Sequence, residues 1–252
     1  GELSSKLFNV YASQTTHEWF QPDEIRAIQT DRRVDDCTSA DGWIVFAGMD
    51  FSRGDDLNGA AFLCYNTHTD EFFGDMDVYM SEDAVNASPI RELLLKWARD
   101  GWITIVPGKT FDPSWPVNRI IELDSKGVDF GAFGYDPYNA KTVVNAMSQW
   151  VFDIGLDPKQ IIQPVRQNFA TYNSPVQELT YMIKNDPPLI HFSNSPMWAW
   201  EFSNCVLQES NDGMENVKPV KRDDGAGTKV DPVQMLLSGL ILYDQAETQI
   251  SK

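Results

Sequence analysis

Hydrophobic positions change their period several times along the chain, and each change marks an element. Residues 1–40 carry Leu7, Phe8, Val10 and Tyr11, then Trp19 and Phe20, then Ile25 and Ile28, separated by polar stretches. That spacing reads as short helices on a linker rather than as a domain. Trp43-Ile44-Val45-Phe46-Ala47-Gly48-Met49-Asp50 is a near-continuous apolar run closed by an acid, which predicts a buried central strand with Asp50 at its end. Strands are expected at 59–65 and 71–80, joined by the turn-rich 66–70, so the first three strands form a meander. Ile90, Leu93, Leu94 and Trp97 then recur at helical spacing, predicting a helix over 89–98 closed by Gly101.

A short strand at 102–106 and a helix at 117–123 follow. The strand expected at 128–135 runs into Asp136, and a helix over 139–153 places Val143, Val144, Met147, Trp150 and Val151 on its apolar side. Residues 161–165 read as strand, 175–183 as helix, and 205–222 as a hairpin around Asn211-Asp212-Gly213. The final apolar helix, 232–243, starts just after Asp231. Three meander strands followed by alternating helix and strand predict an α/β fold with a mixed central sheet flanked by helices.

Composition narrows the picture. The chain has 252 residues, 42% hydrophobic and 12% aromatic, enough to bury a core. The three cysteines, Cys37, Cys64 and Cys205, lie far apart without a CxxC pair, so neither a disulfide framework nor a zinc site is indicated, and a reducing compartment such as the cytoplasm fits. No apolar run approaches the length of a membrane span, and the first residues lack a signal-peptide layout. A first residue other than Met suggests a piece of something longer. Lys and Arg number 20 against 37 Asp and Glu, a net charge of −17, which argues against nucleic-acid binding through a general basic field. Clustered carboxylates escape that objection when they bind divalent cations, because the cations then face the phosphates.

Position singles out three acids among the many. Asp50 and Asp136 end strands and Asp231 opens a helix after the Gly-rich 224–227, and ligand sites on open sheets gather at strand ends. Three carboxylates drawn together repel one another unless divalent metals intervene, and two Mg²⁺ or Mn²⁺ ions can hold an attacking water and a leaving oxygen on either side of a phosphodiester. Asp56, six residues after Asp50, is a candidate auxiliary metal ligand. The plainer reading makes Asp231 a helix N-cap and Asp136 a turn residue before Pro137.

Gly48-Met49-Asp50-Phe51-Ser52, Asp56-Leu57-Asn58-Gly59-Ala60 and Gly134-Tyr135-Asp136-Pro137-Tyr138-Asn139-Ala140 resemble the nuclease half of tailed-phage large terminases. His191-Phe192-Ser193-Asn194-Ser195-Pro196, with Trp200 and Asn204, then Val217–Arg222 and Lys229-Val230-Asp231, resemble that family's carboxy-terminal stretch. Lys6–Val10 with Glu18-Trp19-Phe20 resembles its linker from the motor domain. The similarity covers nearly the whole chain, in order. It implies a ribonuclease H-like nuclease domain at 41–252, preceded at 1–40 by a linker from an ATPase motor domain upstream. It further implies an acidic triad of Asp50, Asp136 and Asp231 binding Mg²⁺ or Mn²⁺, and cutting of double-stranded DNA as a viral genome is packaged in the host cytoplasm. The partners implied for the full-length protein are a small terminase subunit and a portal protein, with the isolated domain monomeric. Ser195 departs from the family, whose members often carry Asn directly before the proline.

Other features are weaker. Gly108-Lys109-Thr110 lacks the upstream glycine of a phosphate loop, since Ile103 stands there. Lys218, Lys221, Arg222 and Lys229 form a local basic cluster, a candidate for DNA phosphates or an ordinary mixed-charge surface interrupted by Asp223 and Asp224. His17 and His68 read as linker and turn residues. His191 and Asn194 are candidates for places beside the site, and Trp198 and Trp200 for packing. Two alternatives to the nuclease stay open: a non-catalytic docking module of the packaging machine, and a ribonuclease H-like resolvase or exonuclease.

Overall fold

The computed structural model describes residues 16–51, 57–137, 140–211, 213–222 and 231–250. Along the chain the strands are β1 (Thr16–Glu18), β2 (Gln29–Thr30), β3 (Trp43–Asp50), β4 (Asn58–Asn66), β5 (Phe72–Ser81), β6 (Thr104–Val106), β7 (Phe130–Tyr135), β8 (Ile162–Pro164), β9 (Ile190–Ser193), β10 (Cys205–Glu209) and β11 (Val217–Lys221). The α-helices are α1 (Pro22–Arg26), α2 (Glu82–Ala87), α3 (Arg91–Arg99), α4 (Ser114–Ser125), α5 (Ala140–Asp153), α6 (Pro158–Ile161), α7 (Phe169–Lys184), α8 (Pro196–Ser203) and α9 (Asp231–Ile250).

The large sheet runs in the order β2-β9-β5-β4-β3-β7-β8, with β6 also on β5. The β3–β4–β5 meander is antiparallel; β7 lies parallel to β3, β8 to β7 and β9 to β5. This is the mixed sheet that the pattern predicts. Both of its faces are covered, which is why β3 reads as a continuous apolar run: Phe46 joins Ala61 and Leu63 of β4 on the α7–α8–α9 face. Val45, Ala47 and Met49 join Ala60, Phe62 and Cys64 on the α4–α5 face. On that second face β5 carries Asp75 and Asp77 two residues apart, and their charges are paired. Asp75 accepts from Arg33 Nε and Val34 N at 2.8 Å each, and Asp77 from Arg119 Nε at 2.9 Å. Among the described residues no helix is long and apolar enough to cross a membrane.

Three stretches depart from expectation. Residues 16–40 are built into the body rather than trailing from it. β1 pairs with β10 and β2 with β9, Trp19, Phe20, Ile25, Ile28 and Val34 are buried, and Trp19 Nε1 donates to Thr180 Oγ1 at 2.8 Å. Trp19 and Phe20 stack on each other and both pack on Phe202, contacts that no local period announces. Secondly, α7 starts at Phe169, ahead of Pro175, which lies inside it. Asn168 caps the helix by accepting from Thr171 N, and Tyr172, Pro175 and Val176 are all buried, so packing outweighs the hydrogen bond that proline cannot donate. Lastly, β9 and α8 emerge from a stretch without a readable period; β9 is four residues long and flanked on both sides, by β5 and β2.

Candidate functional site

Asp50 is the last residue of β3 and stands opposite Gly59 of β4. On the other side β7 runs parallel, with Met49 matched to Tyr135, so Asp136 follows one step later at the level of Asp50. Adjacent strands lie about 4.8 Å apart, which brings these two carboxylates to neighbouring strand ends. Both are half-buried.

Asp231 is brought to the same edge by α9. A Cβ on Gly239 would stand 2.7 Å from the Phe46 carbonyl, and one on Gly48 only 1.8 Å from the Met235 carbonyl. Helix and strand therefore run in opposite directions in backbone contact, four helix residues matching two strand residues, about 6 Å in each case. The next step along that track sets Asp231 against Asp50. Asp231 is 7% exposed and is the first residue of α9, where the positive end of the helix dipole favours a carboxylate.

Beneath the acids lies Tyr172, which sequence reasoning misses because the helix carrying it is expected to begin only at Pro175. Its hydroxyl donates to the Gln234 carbonyl, at 3.4 Å, in the first turns of α9. Burial pushes this hydroxyl well above the ordinary tyrosine range, and the charges of Asp136 and Asp50 push it further, against a hydrogen bond with Ser238. Both carboxylate charges thus reach one buried phenol, an independent sign that the two acids converge. Three carboxylates offer hard oxygen ligands, the donor set that Mg²⁺ and Mn²⁺ take, so the residues present fit such ions in kind. Among the described residues no group of three or more His, Cys, Asp or Glu side chains is placed closely enough to hold an ion.

The remaining candidates disperse. Asp56 and Lys229 lie outside the described residues. His191 is paired with Phe73, Phe73 with Cys64 and Cys64 with Val45, which puts it three strands across and five residues back from Asp50. That is about 14 Å across the sheet and about 17 Å along it. His191 faces Glu71, with Nδ1 4.0 Å from Oε1, and so does not stand beside the acids. Asn194 follows β9, which is likewise three strands across from β3, and donates to Asp31. Ser195, the departure from the family pattern, is buried and caps α8 by accepting from Met197 N. Within the hairpin β10–β11, Lys218 sits 4.7 Å over the Phe169 ring, Arg222 binds Glu18 at 3.1 Å and Lys221 is exposed. Trp198 is fully buried against Phe192, and Trp200 packs on Trp97.

The family model for the terminase large subunit endonuclease domain matches residues 2–247. A search of curated proteins returns no match. Among solved structures, the HK97 bacteriophage large terminase superposes with a TM-score of 0.66 at 14% identity, covering 90% of this chain and 44% of that one. This chain therefore spans less than half of the HK97 protein. The large terminase nuclease from thermophilic phage G20c superposes with a TM-score of 0.50 at 14% identity, covering 92% of this chain and 99% of that one. At such identity these likenesses establish the fold, which is ribonuclease H-like. With its sequence matched over nearly all its length, the chain belongs to the terminase large subunit endonuclease domain family.

Proposed function

We propose that this domain is a divalent-metal-dependent endonuclease that cuts concatemeric double-stranded viral DNA during genome packaging in the host cytoplasm. The observation that carries the reading is the convergence of Asp50, Asp136 and Asp231 on one edge of the sheet, from two strand ends and a helix start. Asp50, between the other two, would be the central ligand for Mg²⁺ or Mn²⁺, and Asp136 and Asp231 would complete the ligand set. Asp56 is an auxiliary acid on the same reading. Two such ions, when bound, supply the positive charge that orients an attacking water and stabilises the leaving oxygen in line at phosphorus. The chain's own part is positional: β3, β7 and α9 hold three acids on separate rigid elements, and Tyr172 ties α7 to α9 beneath them. In the full-length protein a motor domain upstream delivers the DNA, and the small terminase subunit and portal are its partners; the isolated domain is a monomer.

The test is plasmid cleavage by the purified chain with Mn²⁺, Mg²⁺ or EDTA, beside Asp50→Ala. Cutting that needs metal and falls at least about a thousandfold in the variant, with the fold retained by circular dichroism, is the expected result. Undiminished cutting by Asp50→Ala removes the metal assignment. No cutting by the wild-type chain under any condition returns the weight to a non-catalytic docking module.

A further inference from the structure

A cleft of about 860 Å³ opens beside Phe51, one residue beyond Asp50, between the beginnings of α4 and α5. A volume of this order encloses a molecule of one or two nucleotides, so the cleft has room for part of one DNA strand and not for a duplex. Its floor is apolar: the rings of Phe51 and Phe111 meet at 5.8 Å between centroids. Its polar lining includes Asn118, Asn145, Lys141 and Asp112. The Asp112 carboxylate is engaged in its own turn, accepting from Ser114 N at 2.9 Å. Lys141 is exposed and makes no ion pair with any described residue.

A second cation stands on the other side of the acids. Val165 N donates to the Tyr135 carbonyl at 2.9 Å, extending the β7–β8 pairing by one residue, so Val165 comes level with Asp136 and Arg166 follows one residue beyond it. Arg166 is exposed and, like Lys141, has no acid partner among the described residues. In a chain of net charge −17, where Arg33, Arg119, Lys126 and Arg222 are all paired with carboxylates, this leaves the acid-bearing edge flanked by cations available to an anion.

We propose that the strand to be cut crosses this edge with its sugar–phosphate backbone seated in the Phe51–Phe111 cleft on one side of the scissile bond. Lys141 contacts a phosphate there, and Arg166 contacts a phosphate on the other side. The inference rests on the nuclease reading and deepens it, because it names the residues that position the substrate for Asp50 and Asp136. It also moves the expected phosphate contacts away from the hairpin, where Arg222 is tied to Glu18 and Lys218 to Phe169.

Two arms test it on the whole chain with Lys141→Ala, Arg166→Ala and, as control, Lys159→Ala at the opposite end of β8. In the first arm, anisotropy of a short fluorescein-labelled single-stranded oligonucleotide is measured in EDTA over a range of salt. Lys141→Ala and Arg166→Ala should each weaken binding about three- to tenfold and flatten the log K against log salt slope by about 0.7, one phosphate's worth, while the control matches wild type. In the second arm, Mn²⁺-dependent cutting should show a raised KM with kcat within about twofold for both variants, the signature of lost positioning rather than lost chemistry. Wild-type slope and affinity in both variants overturn the proposal even if the wild-type chain cuts DNA, as does absence of oligonucleotide binding by the wild-type chain at low salt. Binding that depends on Lys141 and Arg166 in a chain that does not cut sinks the nuclease reading instead and leaves a strand-binding cleft.

Discussion

Glu178 of α7 faces Asp244 and Glu247 of α9. Burial first, then the charge of Asp244 and a hydrogen bond shared with it, then Glu247, push the Glu178 carboxyl up to about 7; burial likewise raises Asp244. Two acids so placed hold a proton between them in the neutral range. Because the folded value lies above the ordinary 4.5, the stability contributed by protonated Glu178 is complete below about pH 4.5 and is lost as pH rises through about 7. Glu178→Gln keeps a neutral hydrogen-bonding group at every pH. Its expected advantage over wild type is about 1–2 kcal/mol at pH 8, discounted for partial exposure, and nothing at pH 4.5. Urea midpoints across that range would show it, and a constant difference between the two proteins would refute it.

At the scale of elements, the site depends on how α9 meets β3. Gly48 and Gly239 let backbone touch backbone, and Asp231 reaches the strand end only because of that approach. Gly48→Ala sets a methyl into the Met235 carbonyl, which cannot yield without moving the helix. The expected cost is about 2–4 kcal/mol. Leu240→Ala, a core truncation in the same helix, costs a similar amount through its cavity but leaves the contact intact. At a temperature where both variants are folded, Leu240→Ala should cut DNA near the wild-type rate and Gly48→Ala should not. Equal rates would show that the backbone contact does not position Asp231. The same scale explains where local reading fell short. Proline ordinarily starts or breaks a helix, so α7 is expected only from Pro175, and Tyr172 stays hidden until burial of both residues overrides the rule.

For the molecule as a whole, the surplus of negative charge means that the divalent cations of the proposed function would also act as a stabilising ligand. An ion that binds the folded acids and not the unfolded chain raises stability by about 2.7 kcal/mol at a hundred times its Kd, a Tm rise of about 5–10 °C for a chain of this size. Mn²⁺ should produce that rise in the wild-type chain and little of it in Asp136→Asn, whereas added KCl should not mimic it. An equal rise in Asp136→Asn would locate the ion elsewhere on the acidic surface.

The sequence by itself determined the meander, the strands β7 and β8, the hairpin, and the placing of Asp50, Asp136 and Asp231 at the ends of elements. All of these follow from period and punctuation, which are local properties of the chain. Tertiary structure alone decided which ends meet. Strand order separates His191 from Asp50 by three strands though both sit in strands of one sheet, and it brings Val165 level with Asp136, with Arg166 one residue beyond, through a backbone hydrogen bond that extends the β7–β8 pairing. It also decided that residues 16–40 belong to the body and that Lys141 borders a cleft beside Phe51. Periodicity reports which face of an element is buried. It carries nothing about the neighbour that buries it, and a site assembled from three elements is made of those neighbours.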